Sequence, residues 1–298
     1  YLNNANNDDD ITNGTKLAEI MGIKIYPIRF RHSTAKYSCD ETGIYKGIES
    51  VKFLNSTIAD ELYKLREYHF DSYLDLLVQL KDLPINSKQL DILIKLDFFE
   101  EFGEANALLK QVEYFNKIYG KKQFKKSKLE ELNIPLEIAE KYATKVTEKT
   151  LTGVDTNGLL REIISSCEYA PTTLMDHFRY ENECLGYVVT TSSTANKRLY
   201  YVSAINSTKY LTTISLYEIY SGKTHEVKMW TSVYNKNSFD LGSILYIISL
   251  EKKNKKEPTG EVNSKTGKKI YRDIPDKFEY GLKKFVVKND IEEVADDI

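Results

Sequence analysis

The chain has few of the residues that do thiol and metal chemistry. Its three cysteines, Cys39, Cys167 and Cys184, are odd in number and far apart, no C-x-x-C pair occurs, and its four histidines are scattered. That pattern argues against a disulfide framework or a spaced zinc site and fits a reducing, cytoplasmic compartment. Cys167 with His177 can be read as a metal pair, or as a buried thiol and a surface imidazole. No apolar run approaches the roughly 18 residues of a membrane span, so no membrane partner is expected. There is no G-x-S-x-G, phosphate loop or H-E-x-x-H, and no internal repeat. The chain starts at Tyr1 without methionine or a signal-like segment, as expected of a piece of a longer protein.

Charge of one sign is also missing. The formal net charge is −2, with 41% apolar and 29% charged residues in 298, ordinary for a globular protein of two or three units. Contact with nucleic acid would then have to come from local patches. Lys117, Lys121, Lys122, Lys125, Lys126 and Lys128 fall within twelve residues that contain no acid. Lys252, Lys253, Lys255 and Lys256 form a second cluster, with Lys268 and Lys269 nearby, while acids gather at Asp8–Asp10 and at Glu292, Glu293, Asp296 and Asp297. Such lysine runs are either phosphate-binding patches or solvated faces.

What is present is helical in the first half. In Ile85–Leu109, Ser87 is placed to cap a helix whose apolar face is Leu90, Leu93 and Ile94. Phe98, Phe99 and Phe102 bury a bend, and Gly103 supplies a positive φ before a second helix starting at Glu104. Two helices joined by a tight turn can aim backbone N–H groups at phosphates without reading base sequence. Upstream, Val51–Ser56 reads as another turn, with Ser56 capping a helix whose inward residues are Ile58, Leu62 and Leu65. Thr15–Met21 reads as a helix closed by Gly22, and Ile23–Ile28 as a strand.

The run N-x-x-x-L-x-x-L-I-K-x-x-x-F-x-x-F-G from Asn86 to Gly103 resembles the tail of the bacterial DNA polymerase III α subunit, beside its tandem helix-hairpin-helix region. Met21–Pro27 is similar to that family's M-G-I-K-hydrophobic-x-P strand, and Gly43–Leu65 to its first hairpin. Glu181–Thr190 resembles the lead into its OB domain. The first turn departs from the family pattern, with Phe53-Leu54-Asn55 where glycines usually stand; Asn55 can adopt a left-handed conformation and keep the turn, but close phosphate approach is weakened.

The resemblance implies an α+β chain, mainly helical with helix-hairpin-helix elements and then a five-stranded OB-type β-barrel. Residues 1–43 would end the fingers, 44–115 form the tandem hairpins, 116–180 a lysine-rich helical connector with Pro135 and Pro171 as punctuation, and 181–298 the OB domain with an acidic tail. Beyond Cys184 the apolar period changes to two, giving strands at Leu185–Thr190, Arg198–Ile205, Leu211–Tyr220, His225–Thr231 and Ser243–Leu250. Ser221-Gly222 marks a hairpin turn, and Lys269–Tyr271 with Lys284–Val287 read as an added strand pair.

No catalytic residues are expected. Polymerase chemistry needs paired carboxylates on two metal ions, and Asp8-Asp9-Asp10 reads as a loop or helix cap, so magnesium would belong to the complete polymerase. Candidate DNA contacts in the hairpins and connector are Lys52, Asn55, Ser56, Lys121, Lys122, Lys125 and Lys126. On the barrel they are Lys197, Arg198, Tyr200, Lys209, Tyr217, Lys228 and Trp230, rings stacking on bases and cations following the backbone. Alternation with Ile214, Leu216, Val227 and Met229 inward would turn Thr213, Ser215, Tyr217, Lys228 and Trp230 outward; the other reading places Trp230 and some tyrosines in the barrel ends. Gln111, Tyr114 and Phe115 resemble a sliding-clamp peptide, yet Leu108, Val112, Phe115 and Tyr119 also form an ordinary helical stripe. The expected partners are primer–template duplex, single-stranded template and a clamp. A stand-alone DNA-binding accessory protein, marked by a start methionine just upstream, and an OB-based protein-docking module, marked by an apolar outer face, are the alternatives.

Overall fold

The chain divides into two units, Tyr1–Thr173 and Leu174–Ile298, in a computed structural model that describes residues 1–5, 8–262, 266–288 and 291. The class is mixed α+β, with helices dominating the first unit and a five-stranded sheet the second. The acids Glu292, Glu293, Asp296 and Asp297 lie outside the described residues.

The first unit opens with α1 (Asp8–Ile20), so Asp8–Asp10 form its first turn. Gly22 follows at φ 71°, a left-handed residue past the helix end. The expected strand Ile23–Ile28 shrinks to β1 (Ile25–Tyr26), because its pairing with the equally short β3 (Ile44–Tyr45) is limited to two residues. Its sheet is completed by β2 (Ser38–Cys39) on the other side of β3.

Four helices carry the hairpins: α2 (Ser56–Lys64), α3 (Tyr73–Leu80), α4 (Ser87–Lys95) and α5 (Ala105–Ile118). Phe30, Phe98 and Phe99 are all buried, with Phe98 and Phe99 ring centroids 4.9 Å apart edge to face, and Tyr73 of α3 packs on Phe99 at 5.7 Å. The expected caps are each one residue late. Asn55 caps α2 by accepting from the Ile58 N–H at 3.1 Å, and Asn86 caps α4 in a reciprocal box with Gln89. Ser56 and Ser87 are instead the first helical residues, since a cap needs an extended backbone and a side chain reaching three residues ahead. The left-handed residue of the first turn is Phe53, at φ 74°, whereas Asn55 is extended at φ −145°.

The segment expected to be a helical connector contains a three-stranded sheet. Its strands β4 (Gln123–Lys125), β5 (Ala143–Val146) and β6 (Thr150–Val154) are ordered β4-β6-β5, with α6 (Lys126–Glu130), α7 (Leu136–Lys141) and α8 (Thr156–Ser166) between and after them. Buried Phe124 and Leu151 face each other across β4 and β6, so this cross-strand core contact overrides the helical tendency of the lysine run.

The second unit begins with α9 (Leu174–Leu185), which takes in part of the stretch expected to be the first barrel strand. Gly186 at φ 83° ends the helix, and the Glu181 carboxylate accepts the N–H groups of Val189 and Thr190 at 2.8 and 3.0 Å. Those donors are therefore taken by a side chain, and Leu185–Thr190 forms no strand. The barrel consists of β7 (Leu199–Ser207), β8 (Leu211–Glu218), β9 (Thr224–Trp230), β10 (Ile244–Val262) and β11 (Lys269–Lys288), with the short α10 (Thr231–Tyr234) after β9. It closes in the order β7-β8-β9-β11-β10, with β9 and β11 parallel and the other pairs antiparallel. Lys269–Tyr271 and Lys284–Val287, read from sequence as a pair of strands, are both in β11, whose partner is β10. Beyond the barrel β10 and β11 continue as a two-stranded ribbon from Glu251↔Gly281 to Val262↔Lys269. That ribbon carries the second lysine cluster.

Candidate nucleic-acid interface

The first hairpin is held from below by apolar side chains and left open above. Ile48, Val51 and Leu54 are buried together with Ile58, Ala59 and Leu62 of α2. Backbone bonds from Val51 N–H to Ile48 O and from Leu54 N–H to Val51 O, both 3.1 Å, coil the turn tightly. These anchors force Phe53 outward, and its side chain is 51% exposed. Lys88 Nζ lies 3.4 Å from the Phe53 ring centroid and Lys52 Nζ 5.1 Å from it. Neither ammonium has a carboxylate partner among the described residues. Gln89, at the start of α4, donates from Nε2 to Phe53 O at 3.0 Å and ties the turn to that helix. The first-turn N–H groups of Ser56 and Thr57 have no place in the intrahelical ladder, Ile58's alone being taken by Asn55. The turn thus offers backbone donors, a positive helix end and two cations without a carboxylate partner among the described residues on one exposed surface.

The second hairpin is closed. After α4 the chain makes a paired cap, with Phe98 N–H bonding Leu93 O and Asp97 N–H bonding Ile94 O, both 3.0 Å, around Asp97 at φ 55°. Gly103 takes φ 140° as expected, but α5 starts at Ala105 rather than Glu104. Its N-terminus is covered by its own chain: Asn106 N–H donates to Thr172 Oγ1 at 3.0 Å, and Glu104 accepts the Thr172 N–H at 2.6 Å. A phosphate would have to displace that segment. The arginines near this turn are structural as well. Arg31 forks onto Glu101 and reaches the Arg66 and Tyr68 carbonyls, while Arg29 pairs with Glu100.

Burial gives the clamp-like peptide no support. Gln111, Tyr114 and Phe115 lie within α5 at 8%, 4% and 7% exposure, facing the unit's own core. The Tyr114 hydroxyl is 3.5 Å from Cys167 Sγ, and burial, followed by that bond, pushes its pKa well up. A partner pocket cannot receive side chains that already fill this core.

Among the connector lysines, Lys121, Lys122 and Lys125 are exposed beside β4, whereas Lys126 is half-buried and paired to Glu140 at 2.6 Å. On the barrel the candidates scatter. Lys197 stands 5.0 Å over Tyr220, Arg198 is exposed just before β7, and Tyr200 is half-buried edge-on to His225. Lys228 pairs with Glu279 at 3.0 Å. Tyr217 is core, not surface, at 1% exposure. Alternation along β8 fails there because α9 covers that barrel end: Phe178 packs on Tyr217 at 5.9 Å, and the hydroxyl donates to Thr190 O at 2.8 Å. Of the two readings of Trp230 the outward one matches its position, 65% exposed, where the Thr231 N–H bonds Tyr210 O and brings Lys209 and Tyr210 alongside. Sequence reasoning missed Lys88, because only the packing of α4 beside the first turn brings it to Phe53. It also missed Tyr271, Phe278 and Tyr280, exposed on the ribbon, with Lys252 Nζ 3.6 Å over Phe278.

Among the described residues no group of three or more His, Cys, Asp or Glu is placed to hold a metal ion, and no helix is long and apolar enough to cross a membrane. A family model described as a helix-hairpin-helix motif matches residues 22–109. The match contains both turns described above and fits a DNA-binding region. A search of the curated proteins finds no match.

Proposed function

We propose that the chain binds DNA without reading its sequence, as the non-catalytic tail of a replicative polymerase of the III α type. The observation that carries this is the first hairpin turn, with open α2 donors and unpaired Lys52 and Lys88 within the residues that match a helix-hairpin-helix motif. Duplex phosphates dock on the donors of Ser56 and Thr57, and the two ammonium groups neutralise their neighbours. Lys121, Lys122 and Lys125 are a supplementary electrostatic patch. The strand order of the barrel, with its parallel β9–β11 pair, supports an OB reading, and the hairpins-then-barrel order is similar to that of the family tail. In the complete polymerase the reaction would be magnesium-dependent, template-directed nucleotidyl transfer, to which this chain contributes grip and no catalytic group.

A second reading, in which the barrel docks a protein, is favoured by one observation. Trp230, Tyr210 and Val233 are exposed near the end of β9, while Lys228 beside them is neutralised by Glu279. The test for both is a fluorescence-anisotropy titration of the whole chain with labelled primer–template and single-stranded DNA over a series of salt concentrations. Binding whose log affinity falls linearly with log salt supports the phosphate grip. No binding to either DNA at low salt overturns it and leaves the docking reading. Loss of single-strand binding on Trp230→Ala would favour DNA, not protein, at the barrel.

A further inference from the structure

We propose that Phe53 is a base-stacking residue, so that the first hairpin recognises DNA with an unpaired or frayed base, such as a single-strand–duplex junction, in preference to continuous duplex. The inference rests on the phosphate-grip reading above and sharpens its substrate.

Three features of one side chain carry it. Phe53 is a bulky residue held at φ 74°, a region that such side chains rarely adopt, at a turn that glycine would form without strain. Its ring is 51% exposed, so burial in the core does not account for its presence. The Lys88 ammonium lies over its ring at 3.4 Å from the centroid and that of Lys52 at 5.1 Å, neither of them engaged by an acid among the described residues. A flat ring carried on an anionic backbone can replace the Lys88 ammonium on the ring face while its phosphate takes the displaced cation as an ionic partner. An unstacked nucleotide has that chemistry, since its base offers a π face and its phosphates offer the charge. In continuous duplex the base faces are covered by their neighbours, so the ring finds no partner there. The turn is also rigid in the required sense: Gln89 fixes the Phe53 carbonyl at 3.0 Å, and Val51 and Leu54 on either side are buried.

The side chain also changes what the turn can do for phosphate. A glycine turn lets a phosphate approach its backbone, whereas the Cβ and ring of Phe53 stand in that approach. Contact is thereby moved from the turn itself to the α2 first turn and the two lysines, with the ring projecting between them.

The experiment compares the whole chain with Phe53→Gly and Phe53→Trp on blunt duplex and on the same duplex with a single-stranded tail, by anisotropy at fixed low salt. A 2-aminopurine at the junction reports stacking directly. The wild-type chain is expected to prefer the tailed duplex. Phe53→Gly should lower affinity for the tailed duplex about tenfold, leave blunt duplex nearly unchanged, and abolish the 2-aminopurine response. Phe53→Trp should retain the preference. Because glycine relieves the left-handed backbone, the thermal unfolding midpoint of Phe53→Gly should be no lower than wild type, which separates lost stacking from lost fold. Equal affinities of Phe53→Gly and wild type for the tailed duplex, or equal losses on both DNAs, would overturn the stacking role and leave the phosphate grip intact. If the wild-type chain binds neither DNA, the phosphate grip fails and this inference fails with it.

Discussion

Gly47 leads directly into the first hairpin, and adding one methyl group there should destabilise the unit that carries it. Its backbone is ordinary extended chain, φ −76° and ψ 146°, so alanine suffers no conformational penalty and the effect comes from space alone. A Cβ at this position would lie 2.5 Å from both Ala35 O and Lys36 Cα, backbone atoms that have no rotamer with which to yield. Relief to ordinary contact requires the two segments to part by about 1 Å, because steric repulsion rises steeply below van der Waals contact. They are stapled together by Ile48 N–H to Thr34 O at 2.9 Å and Glu49 N–H to Ala35 O at 3.0 Å. Losing those two bonds costs about 1–3 kcal/mol together, at roughly 0.5–1.5 each, and overpacking in general costs a similar amount. Gly47→Ala should therefore destabilise by about 2 kcal/mol, read by urea unfolding followed by far-ultraviolet circular dichroism. Gly22→Ala is the control, with φ 71° and nothing within 4 Å, and should cost about 1 kcal/mol through backbone conformation alone. If Gly47→Ala costs less than about 0.5 kcal/mol, the segments yield freely and the reasoning about a stapled approach to the hairpin is wrong.

Five further outcomes are expected. Tyr73 Oη is buried with no hydrogen-bond partner among the described residues and its pKa is pushed well up by burial, so Tyr73→Phe should raise stability by about 1 kcal/mol in the same urea assay; a loss would show a hidden partner. Asn55→Ala and Asn86→Ala should each cost about 1 kcal/mol, whereas Ser56→Ala and Ser87→Ala should be nearly neutral, a contrast measurable by thermal unfolding. Asp40 is held at about 2 by the Thr42 hydroxyl first and by His32 second; since its folded pKa lies below the ordinary 3.8, its contribution is present above about pH 4 and is lost as pH falls toward 2. Thr42→Ala should shrink that acid-side loss in a pH series of unfolding midpoints. Tyr217 is pushed up to about 12 by burial and then by Glu181, so its contribution is intact below pH 10 and is lost as pH rises through 12. Phenolate absorbance should show one fewer late-titrating tyrosine in Tyr217→Phe. Lys88→Gln, finally, should reduce the slope of log affinity against log salt by about 1 on duplex DNA, and an unchanged slope would remove Lys88 from the interface.

Much of the local architecture could be read from residue patterns, and the misreadings have local causes. The spacing of Leu90, Leu93 and Ile94 specifies α4, and the period-two run near Ile214 and Leu216 specifies β8, because helix and strand periodicities are properties of a short window. The caps were misplaced by one residue because Asn55-Ser56 and Asn86-Ser87 each offer two competent side chains. Only the dihedral angle at the helix entrance chooses between them. Leu185–Thr190 has strand composition, but Glu181, a helical turn earlier, captures its backbone donors.

What sequence alone determined about this protein was its helical first part and strand-rich second part, and the inward residues Ile58, Leu62 and Leu65 of the helix after the first turn. Those follow from side-chain chemistry and near-neighbour spacing. Which side chains remain available to a partner was decided only by the tertiary structure. Gln111, Tyr114 and Phe115 have the residue types of a docking peptide, and Tyr217 those of a stacking surface, yet helix packing encloses all four. Lys88, with nothing in its own surroundings to mark it, is carried to the Phe53 ring by a helix that begins more than thirty residues further along the chain. Burial and proximity are set by contacts between distant segments, so no local window contains them.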